Sequence, residues 1–364
     1  MMRPIHRITL ILLALFIGIA FVALLTYMGK KTQGPIEDAF TGAGEVVRGI
    51  EEKFILEKRT EIRKQELQWL NKQRETLLDP PRILLGAFDE KLQESLKEIF
   101  DLEKTLETTF PLVHIYTAWG SKEEQKFPRI YAESIHQCGS IPVITWEPWL
   151  TDFDNETFSG KLRPIETRDK NGLLDISRGV YDEYLRTWAR DAAKFGHPLM
   201  VRLGHEMNDP YRYPWGPQNN KAEAFIAAWR HVHRIFREEQ ATNVLWIWSP
   251  HPAYGWFKEY YPGDAYVDWI GAGTLNYGTI APWSQWWSFD EIFGKHYPAL
   301  AAFKKPIMLS EFGSLAVGGS RPEWYAAALS EMPKRYPLVR ALLFFHFSND
   351  RTTTQQSLDW TIKN

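Results

Sequence analysis

From Arg82 onward, short apolar segments of strand length alternate with longer segments whose apolar residues recur at helical spacing. The helical segments include Glu90–Thr108, Ser177–Phe195, Ala222–Glu239 and Pro322–Arg335. Strands that are separated by helices pair in parallel. The pattern predicts eight strands, at Ile83–Phe88, Leu112–Thr117, Pro142–Trp146, Leu199–Leu203, Asn243–Trp248, Val267–Gly271, Pro306–Ser310 and Arg340–Phe347.

Eight strand–helix units favour an α/β fold of the (β/α)8 TIM barrel type over residues 80–364, because such barrels take roughly 250 residues. A doubly wound open sheet is the alternative. That fold normally carries a glycine-rich phosphate turn after an early strand, and the sequence LLGAFDEK has none. The barrel is therefore the prediction.

The first 79 residues follow a different pattern. Ile8 to Met28 is a run of 21 residues without a charge, long enough to cross a bilayer as a transmembrane helix. We interpret residues 1–31 as an uncleaved signal anchor, with a cleaved signal peptide as the alternative. Residues 32–79 are predicted to form a linker and a charged amphipathic helix, which is either a solvated spacer or packs near strands 8 and 1.

Composition narrows the classes of function. The chain has 43 basic and 45 acidic residues, and this balance offers no basic excess for binding nucleic acid. Its single cysteine, Cys138, excludes an intrachain disulfide framework and a cysteine-rich zinc site. Aromatic residues make up 14% of the chain, including 16 Trp, which is more than packing alone normally requires.

Unusual polar and aromatic residues cluster where the predicted strands end, which in a TIM barrel is the face that carries the active site. Aromatic rings stack on the apolar faces of sugars, and carboxylates bind sugar hydroxyls. The predicted ligand is therefore a polysaccharide. The candidate residues are Trp119, Trp146, Glu147, Trp149, Arg202, His205, Glu206, Asn208, Trp215, Trp248, Tyr277, Glu311 and His346.

Two of these residues suit acid–base chemistry. Glu206 and Glu311 end strands 4 and 7 and would face each other across a barrel mouth. Glycoside cleavage uses two carboxyl groups, about 5 to 5.5 Å apart for retention and about 6.5 to 9.5 Å apart for inversion. Alternation along strand 4 predicts Arg202 on the same side as Glu206. This chemistry needs neither a metal nor a cofactor, and the sequence contains no HExxH or GxSxG motif.

The sequence Val201–Asn208, followed by Tyr213-Pro214-Trp215-Gly216 and later by Ser310-Glu311-Phe312-Gly313, resembles glycoside hydrolase family 26, the β-mannanase family. The resemblance implies that Glu206 is the general acid/base and Glu311 the nucleophile of a retaining enzyme. It also implies that His205 lies in the active site, that Tyr277 hydrogen-bonds the nucleophile and that Trp215 lies in the substrate cleft.

The chain departs from the family pattern in two places. Asp209-Pro210-Tyr211-Arg212 stands where the family typically has Gly and then an aromatic residue, and Phe345-His346-Phe347 stands where a Trp commonly forms a sugar platform. We therefore keep a β-glucanase or xylanase as an alternative. A second alternative is a non-catalytic polysaccharide-binding component of a synthesis or export machine. Because polysaccharides lie outside the cytoplasm, the barrel is predicted to be extracytoplasmic.

Overall fold

The computed structural model describes residues 57–362, apart from residues 71, 94, 157, 159 and 352–355. The chain divides into two units, Met1–Arg59 and Thr60–Asn364, and only residues 57–59 of the first unit are described. The predicted anchor at Ile8–Met28 and the start of the linker lie outside the described residues. None of the helices within the described part of the chain combines the length and the apolar character needed to span a bilayer.

The unit from Thr60 is a closed barrel of eight parallel strands, in which each strand pairs with its neighbours in sequence and β8 closes onto β1. This confirms the predicted barrel. Strand β4 has the predicted bounds, and the other strands differ from prediction by a few residues at their ends. The strands are β1 Leu84–Asp89, β2 Leu112–Ala118, β3 Ile141–Glu147, β4 Leu199–Leu203, β5 Val244–Trp248, β6 Trp269–Asn276, β7 Ile307–Ser314 and β8 Val339–His346.

Amphipathic helices connect the strands. The long helix Ala222–Glu238 buries Phe225, Trp229, Val232 and Phe236, which recur every three or four residues on one face. The α-helices are residues 57–66, Arg74–Leu78, Lys97–Thr105, Arg129–Gln137, Gly172–Ser177, Asp182–Phe195, Ala222–Glu238, Phe257–Tyr260, Tyr297–Ala301 and Arg321–Arg335. The predicted helix Glu90–Thr108 is broken, because a short 3₁₀ turn at Glu90–Gln93 precedes its α-helical part.

The lower interior of the barrel, at the amino ends of the strands, is apolar. Alternate residues of each strand meet there, as expected when successive side chains point to opposite faces. The buried cluster contains Leu84, Leu112, Ile141, Val143, Met200, Leu245, Ile247, Trp269, Met308, Ala341 and Leu343.

The segment before β1 covers this end of the barrel. Leu70 and Leu77 belong to the same buried cluster, and the Trp269 indole N–H donates to the Leu77 carbonyl at 3.1 Å. Arg74 donates to the Val244 carbonyl and pairs with Asp268. Of the two alternatives, docking on the barrel is the one that the described residues between 60 and 79 show. The predicted single helix is wrong there, because helix 57–66 ends in a turn before Arg74–Leu78 begins. The predicted position beside strands 8 and 1 is wrong, because the segment lies across the amino ends of the strands.

A buried ion pair holds the start of this segment. Arg63 has no exposed surface and pairs with Glu103, and it also donates to the Ser140 hydroxyl and to the carbonyls of Phe110 and Cys138. Ser140 directly precedes β3, and Phe110 lies two residues before the start of β2. A buried charge needs such a full set of partners, so the contacts fix this helix to the underside of the barrel.

We expect Leu77→Ala to lower the free energy of unfolding by about 2 to 5 kcal/mol, because it leaves a cavity under the barrel. Leu77 is fully buried, whereas Leu329 on helix Arg321–Arg335 is 40% exposed. The matched Leu329→Ala variant should change stability by less than about 0.5 kcal/mol. Urea unfolding of both variants measures the difference. Equal and small losses would show that the segment does not contribute to the core.

The described residues between 347 and 362 form no helix. Trp360 is fully buried, contacts Phe345 edge-on and donates to Asp350 at 2.9 Å. Arg321 donates to the carbonyls of Asp359 and Thr361. The end of the described chain therefore packs beside the carboxyl ends of β7 and β8, near the face where the candidate site lies.

Candidate active site

Glu206 is aimed by an unusual backbone conformation. Strand β4 ends at Leu203, and both Gly204 and Glu206 have positive φ angles, of 49° and 52°. The prediction that Arg202 and Glu206 lie on the same side is confirmed, because the charge of Arg202 acts on Glu206. Simple strand alternation does not produce this arrangement, because the chain turns after Leu203. A left-handed conformation is costly for a residue with a Cβ. The Glu206 N–H donates to the Ser249 carbonyl at 2.7 Å, which holds the turn against the end of β5.

Glu311 is aimed by a bulge. The register of β6 and β7 shifts after Ala272, so that Gly273 pairs with Glu311 while Ala272 pairs with Leu309. A bulge re-aims a side chain at a strand end, and bulges are common beside active sites. Here the shift directs the Glu311 carboxylate into the barrel, where it meets side chains from β2 and β4.

The two carboxylates converge beside Gly273. A Cβ at Gly273 would lie 3.4 Å from Glu206 Oε1 and 3.9 Å from Glu311 Oε2, so these two oxygens are at most 7.3 Å apart, the sum of the two distances. Both residues are more than nine-tenths buried. The residues are 105 positions apart in sequence, yet this upper limit lies within the reach of paired glycosidase carboxylates.

Two donors hold Glu311 Oε1. The buried Arg202 guanidinium donates to it at 2.5 Å, and the Tyr116 hydroxyl donates at 2.8 Å. Burial by itself would raise the pKa of Glu311, but the charge and hydrogen bond of Arg202, with Arg212 and the Tyr116 hydrogen bond, outweigh burial and place the pKa below its ordinary value. Glu311 is therefore ionised at neutral pH.

Glu206 has the opposite balance. Burial raises its pKa, the charge of Glu311 adds to the increase, and His251, Arg212 and Arg202 oppose it. Its Oε2 lies 3.6 Å from Arg212 Nη1 and accepts no hydrogen bond in the structure. The site thus contains one carboxyl that favours its proton and one that favours its charge, which is the division of roles expected of an acid and a nucleophile.

We expect Arg212→Gln to move the alkaline limb of the pH profile of kcat/KM to higher pH. Arg212 opposes the rise in the Glu206 pKa, so its removal lets Glu206 keep its proton to a higher pH. The alkaline limb of kcat/KM reports the essential acid of the free enzyme. The charge-conserving Arg212→Lys variant should keep the original profile. An unchanged limb in Arg212→Gln, or a shift to lower pH, would contradict this electrostatic account.

His205, the residue before Glu206, is packed in place. His205 Nε2 lies 2.9 Å from the Tyr213 hydroxyl, and its carbonyl accepts from the Trp215 indole N–H at 2.7 Å. The Tyr213 and Trp215 rings stack at 4.6 Å. His205 is 1% exposed and its Nδ1 lies 3.9 Å from Glu147 Oε1. Burial and the nearby Arg202 lower the pKa of His205, so the ring is neutral.

A cavity of about 580 Å³ opens on the Glu311 side of the site. This volume is within the range of ligand pockets. Aromatic rings line it, among them Phe88, Tyr131 and Trp149, together with Tyr213 and Arg212. The carboxylates in its wall are Asp89, Glu90, Glu124, Glu147 and Glu311. Rings combined with hydroxyl-binding carboxylates suit a sugar.

Comparison with known proteins identifies the relatives of this barrel. Residues 142–350 match the family model described as glycosyl hydrolase family 26. The chain belongs to this family. The resemblance inferred from the sequence around Glu206 and Glu311 is therefore confirmed, and the chain is a member of a glycoside hydrolase family.

Among its relatives is endoglucanase H of Acetivibrio thermocellus, 34% identical over 260 residues, which are 69% of this chain and 26% of that protein. Mannan endo-1,4-beta-mannosidase A and B of Caldalkalibacillus mannanilyticus is 25% identical over 197 residues, or 52% of this chain and 34% of that protein. The chain thus spans about a quarter to a third of these relatives. The structure of Bacillus subtilis mannanase man26 superposes with a TM-score of 0.54 at 19% identity, covering 78% of this chain and 85% of the other.

Three tryptophans that we predicted as sugar contacts are buried outside the barrel interior. Trp119, Trp146 and Trp248 have no exposed surface. The alternation that turns Glu147 toward the cavity turns its neighbour Trp146 outward, where it stacks on Trp188 of helix Asp182–Phe195. Trp119 packs on Trp146, and Trp248 packs on Phe257, Tyr261 and Phe303. Their assignment to substrate binding is therefore wrong in this family 26 barrel.

Other predicted residues support the site from a distance. Asn208 is fully buried and joins two loops, because its amide donates to the carbonyls of His251 and Gly255 and accepts from the His251 N–H. Trp215 is 2% exposed and supports His205. Neither side chain reaches the cavity surface, so both are wrong as direct sugar contacts.

Tyr277 and His346 lie at the ends of β6 and β8. Tyr277 packs edge-on against Trp360 at 5.0 Å. His346 Nε2 lies 3.8 Å from Asp89 Oδ2, and its Nδ1 accepts from the Ile362 N–H. The hydrogen bond from Tyr277 to Glu311 that the resemblance implies stays a prediction, and the Tyr116 hydroxyl donates to Glu311 in the structure. The sugar contacts predicted for Tyr277, His346, Glu147 and Trp149 also stay predictions. Sequence reasoning missed Tyr116, Tyr213 and Arg212 as site residues. Tyr116 could have been found, because alternation along β2 places the side chains of its even-numbered residues inside the barrel.

Glu206, Asp209 and His251 each bring one potential ligand atom within 4.8 Å of the others. This is the arrangement within the described residues that most resembles a metal site. The Arg212 guanidinium lies 3.6 Å from Glu206, so a positive charge already faces this carboxylate. The chemistry of the carboxyl pair requires no metal here.

Proposed function

We propose that this protein is a retaining glycoside hydrolase that cleaves β-linked polysaccharide, with Glu206 as acid/base and Glu311 as nucleophile. The substrate that we propose first is a mannan-type polymer. The observation that carries the proposal is the convergence of the two buried carboxylates beside Gly273, with pKa values displaced in opposite directions. Family membership supports the reaction class.

The chemistry follows from these protonation states. Glu311 attacks the anomeric carbon while Glu206 gives its proton to the leaving oxygen, and a covalent glycosyl ester forms on Glu311. Glu206, now ionised, then takes a proton from water, which attacks the anomeric carbon and releases Glu311. Tyr116 and Arg202 both donate to Glu311 Oε1, so they hold the ionised carboxylate in place before attack.

A β-glucan is the second candidate substrate. The relative named endoglucanase H is 34% identical to this chain, against 25% for the named mannosidase. At the end of β8, where the family commonly has a Trp, this chain has Phe345-His346-Phe347, and the rings of Phe345 and Phe347 line the cavity wall. Xylan is the third polymer with which the same scaffold should be tested.

The test is reducing-end release from mannan, mixed-linkage β-glucan and xylan. We expect the unmutated protein to cut mannan most efficiently, Glu311→Ala to cut none of the polymers, and the matched Glu166→Ala variant to be fully active, because Glu166 is exposed. Cleavage of glucan or xylan alone would correct the substrate. Binding without any cleavage would favour the non-catalytic role in polysaccharide synthesis or export.

The stereochemical outcome distinguishes retention from inversion. If Glu311 forms a covalent intermediate, the first product released from a β-linked oligosaccharide is the β-anomer. Proton NMR during the first minutes of the reaction measures this. If the first product is the α-anomer, water attacks the anomeric carbon directly in a single displacement, and the proposed covalent intermediate is contradicted.

We also propose that the barrel is anchored to a membrane and faces the extracytoplasmic side. The charge-free run from Ile8 to Met28 supports anchoring. The proposed polysaccharide substrate supports the location, because such polymers lie outside the cytoplasm. Protease accessibility of the barrel in intact cells, compared with lysed cells, tests the location, and sedimentation of the barrel with the membranes of lysed cells tests the anchoring.

A further inference from the structure

The segment Asp209–Arg212, which departs from the family pattern, presents an exposed ring on the Glu206 side of the site. Tyr211 is 81% exposed. The Tyr211 N–H donates to Asp209 Oδ1 at 2.8 Å, so the Asp209 side chain closes the turn that carries the Tyr211 ring. A large aromatic ring that is so exposed beside a catalytic carboxyl is a candidate for contact with a ligand.

A continuous path of rings leads from the acid to Tyr211. His251 brings a potential ligand atom within 4.8 Å of Glu206. The Tyr254 ring lies 4.7 Å from the His251 ring, and the Tyr211 ring lies 6.0 Å from the Tyr254 ring. We name Tyr211 and Tyr254 the tyrosine platform. Asn208 fixes the relation between the two loops through its hydrogen bonds to His251 and Gly255.

The platform lies apart from the cavity. The cavity wall includes Glu311 but none of Glu206, His251, Tyr254 and Tyr211. In a double displacement, the sugar that is attacked lies over the nucleophile, and the sugar that leaves lies beside the acid that protonates it. The cavity therefore suits the attacked end of the chain, and the platform suits the leaving end.

We propose that Tyr211 and Tyr254 form a binding subsite for the leaving-group sugar of a neutral β-linked polysaccharide, and that the Asp209–Arg212 segment creates this subsite. The inference rests on the proposed function. The tyrosine rings would stack on the apolar face of the sugar that Glu206 protonates, and the energy of this contact would be used only when a leaving-group sugar is present.

The experiment compares two substrates that share the attacked sugars. One is the polysaccharide that the unmutated protein cuts, and the other is a β-glycosyl fluoride of an oligosaccharide of the same sugar, whose leaving group is fluoride. Tyr211→Ala should lower kcat/KM for the polymer about tenfold and leave kcat/KM for the fluoride unchanged. Tyr211→Trp, which keeps a stacking ring, should restore cleavage of the polymer. Because Tyr211 is exposed, none of these changes should alter the fold.

Tyr131→Ala is the matched control, since Tyr131 lines the cavity on the Glu311 side. It should lower kcat/KM for both substrates by the same factor. Equal losses on both substrates in Tyr211→Ala, or no loss on the polymer, would overturn the assignment of the platform. If the unmutated protein cuts neither substrate, the proposed function fails, and the assignment fails with it.

Discussion

Replacing Glu311 by alanine should abolish hydrolysis, with a fall in kcat of about 10⁴-fold or more. Without this carboxylate no covalent intermediate forms, and water lacks both the position and the base to replace it in the first step. Added azide should restore part of the turnover, because the small anion fits the space that the carboxylate leaves. The product should then be the α-glycosyl azide, which thin-layer chromatography and NMR identify.

Glu311→Gln controls for a loss of folding. Removing the carboxylate leaves Arg202 buried without its partner, which costs about 3 to 5 kcal/mol when such a pair is broken. The glutamine side chain keeps an oxygen that can accept from Arg202 and Tyr116 while it removes the nucleophile. Circular dichroism should show that the variant is folded, and the reducing-end assay should show that it does not cleave the polymer. A folded Glu311→Gln variant with more than a hundredth of normal activity would contradict the role of Glu311.

Replacing Glu206 by glutamine should produce a loss that depends on the leaving group. For the polymer, whose leaving oxygen needs a proton, kcat/KM should fall by about 10² to 10⁴. For a β-glycosyl fluoride, whose leaving group needs none, kcat/KM should stay near normal. Added azide should speed the second step and give the β-glycosyl azide, because it attacks the intermediate without help from a base. Steady-state kinetics on both substrates measures this difference.

Glu147→Gln is the matched carboxylate control. Glu147 lies in the same mouth and accepts from Trp149 at 3.0 Å, but it faces the cavity instead of the leaving group. Its replacement should change kcat/KM for the polymer and the fluoride by the same factor. A loss in Glu206→Gln that is equal on both substrates would show that Glu206 does not act as the general acid.

The sequence predicted the barrel because its strands are short, apolar and separated by amphipathic helices. Leu199–Leu203 and its neighbours are recognisable from composition alone, and Glu206 just after β4 and Glu311 within β7 stand in the motifs on which the family resemblance rests. This information is local. It lies in patterns of a few residues, which a single sequence displays directly.

The remaining features depend on non-local geometry. The left-handed conformation of Glu206 and the bulge at Gly273 and Glu311 leave no clear signature in the sequence, yet they decide where both carboxylates point. Tyr116 reaches Glu311 across the barrel interior from a strand that is 195 residues away in sequence. Such contacts follow from barrel closure, which periodicity does not describe.

The error over the tryptophans has a different cause. Trp146 and Trp248 stand at strand ends, but a position at a strand end does not determine the face of the strand to which a side chain points. The alternation that places Thr145 and Glu147 inside the barrel was sufficient to place Trp146 outside it. The aromatic excess of the chain mainly fills the layer between strands and helices, and the cavity wall takes a smaller share of it.

The most direct test of the account is to trap the covalent intermediate and locate it. A 2-deoxy-2-fluoro glycosyl fluoride of the accepted sugar slows the second displacement, since fluorine at C2 disfavours the oxocarbenium-like transition state. Proteolysis and tandem mass spectrometry then identify the modified residue. The account predicts one glycosyl ester on Glu311 that decays with the return of activity. A label on Glu206, Glu147 or any other residue would contradict it.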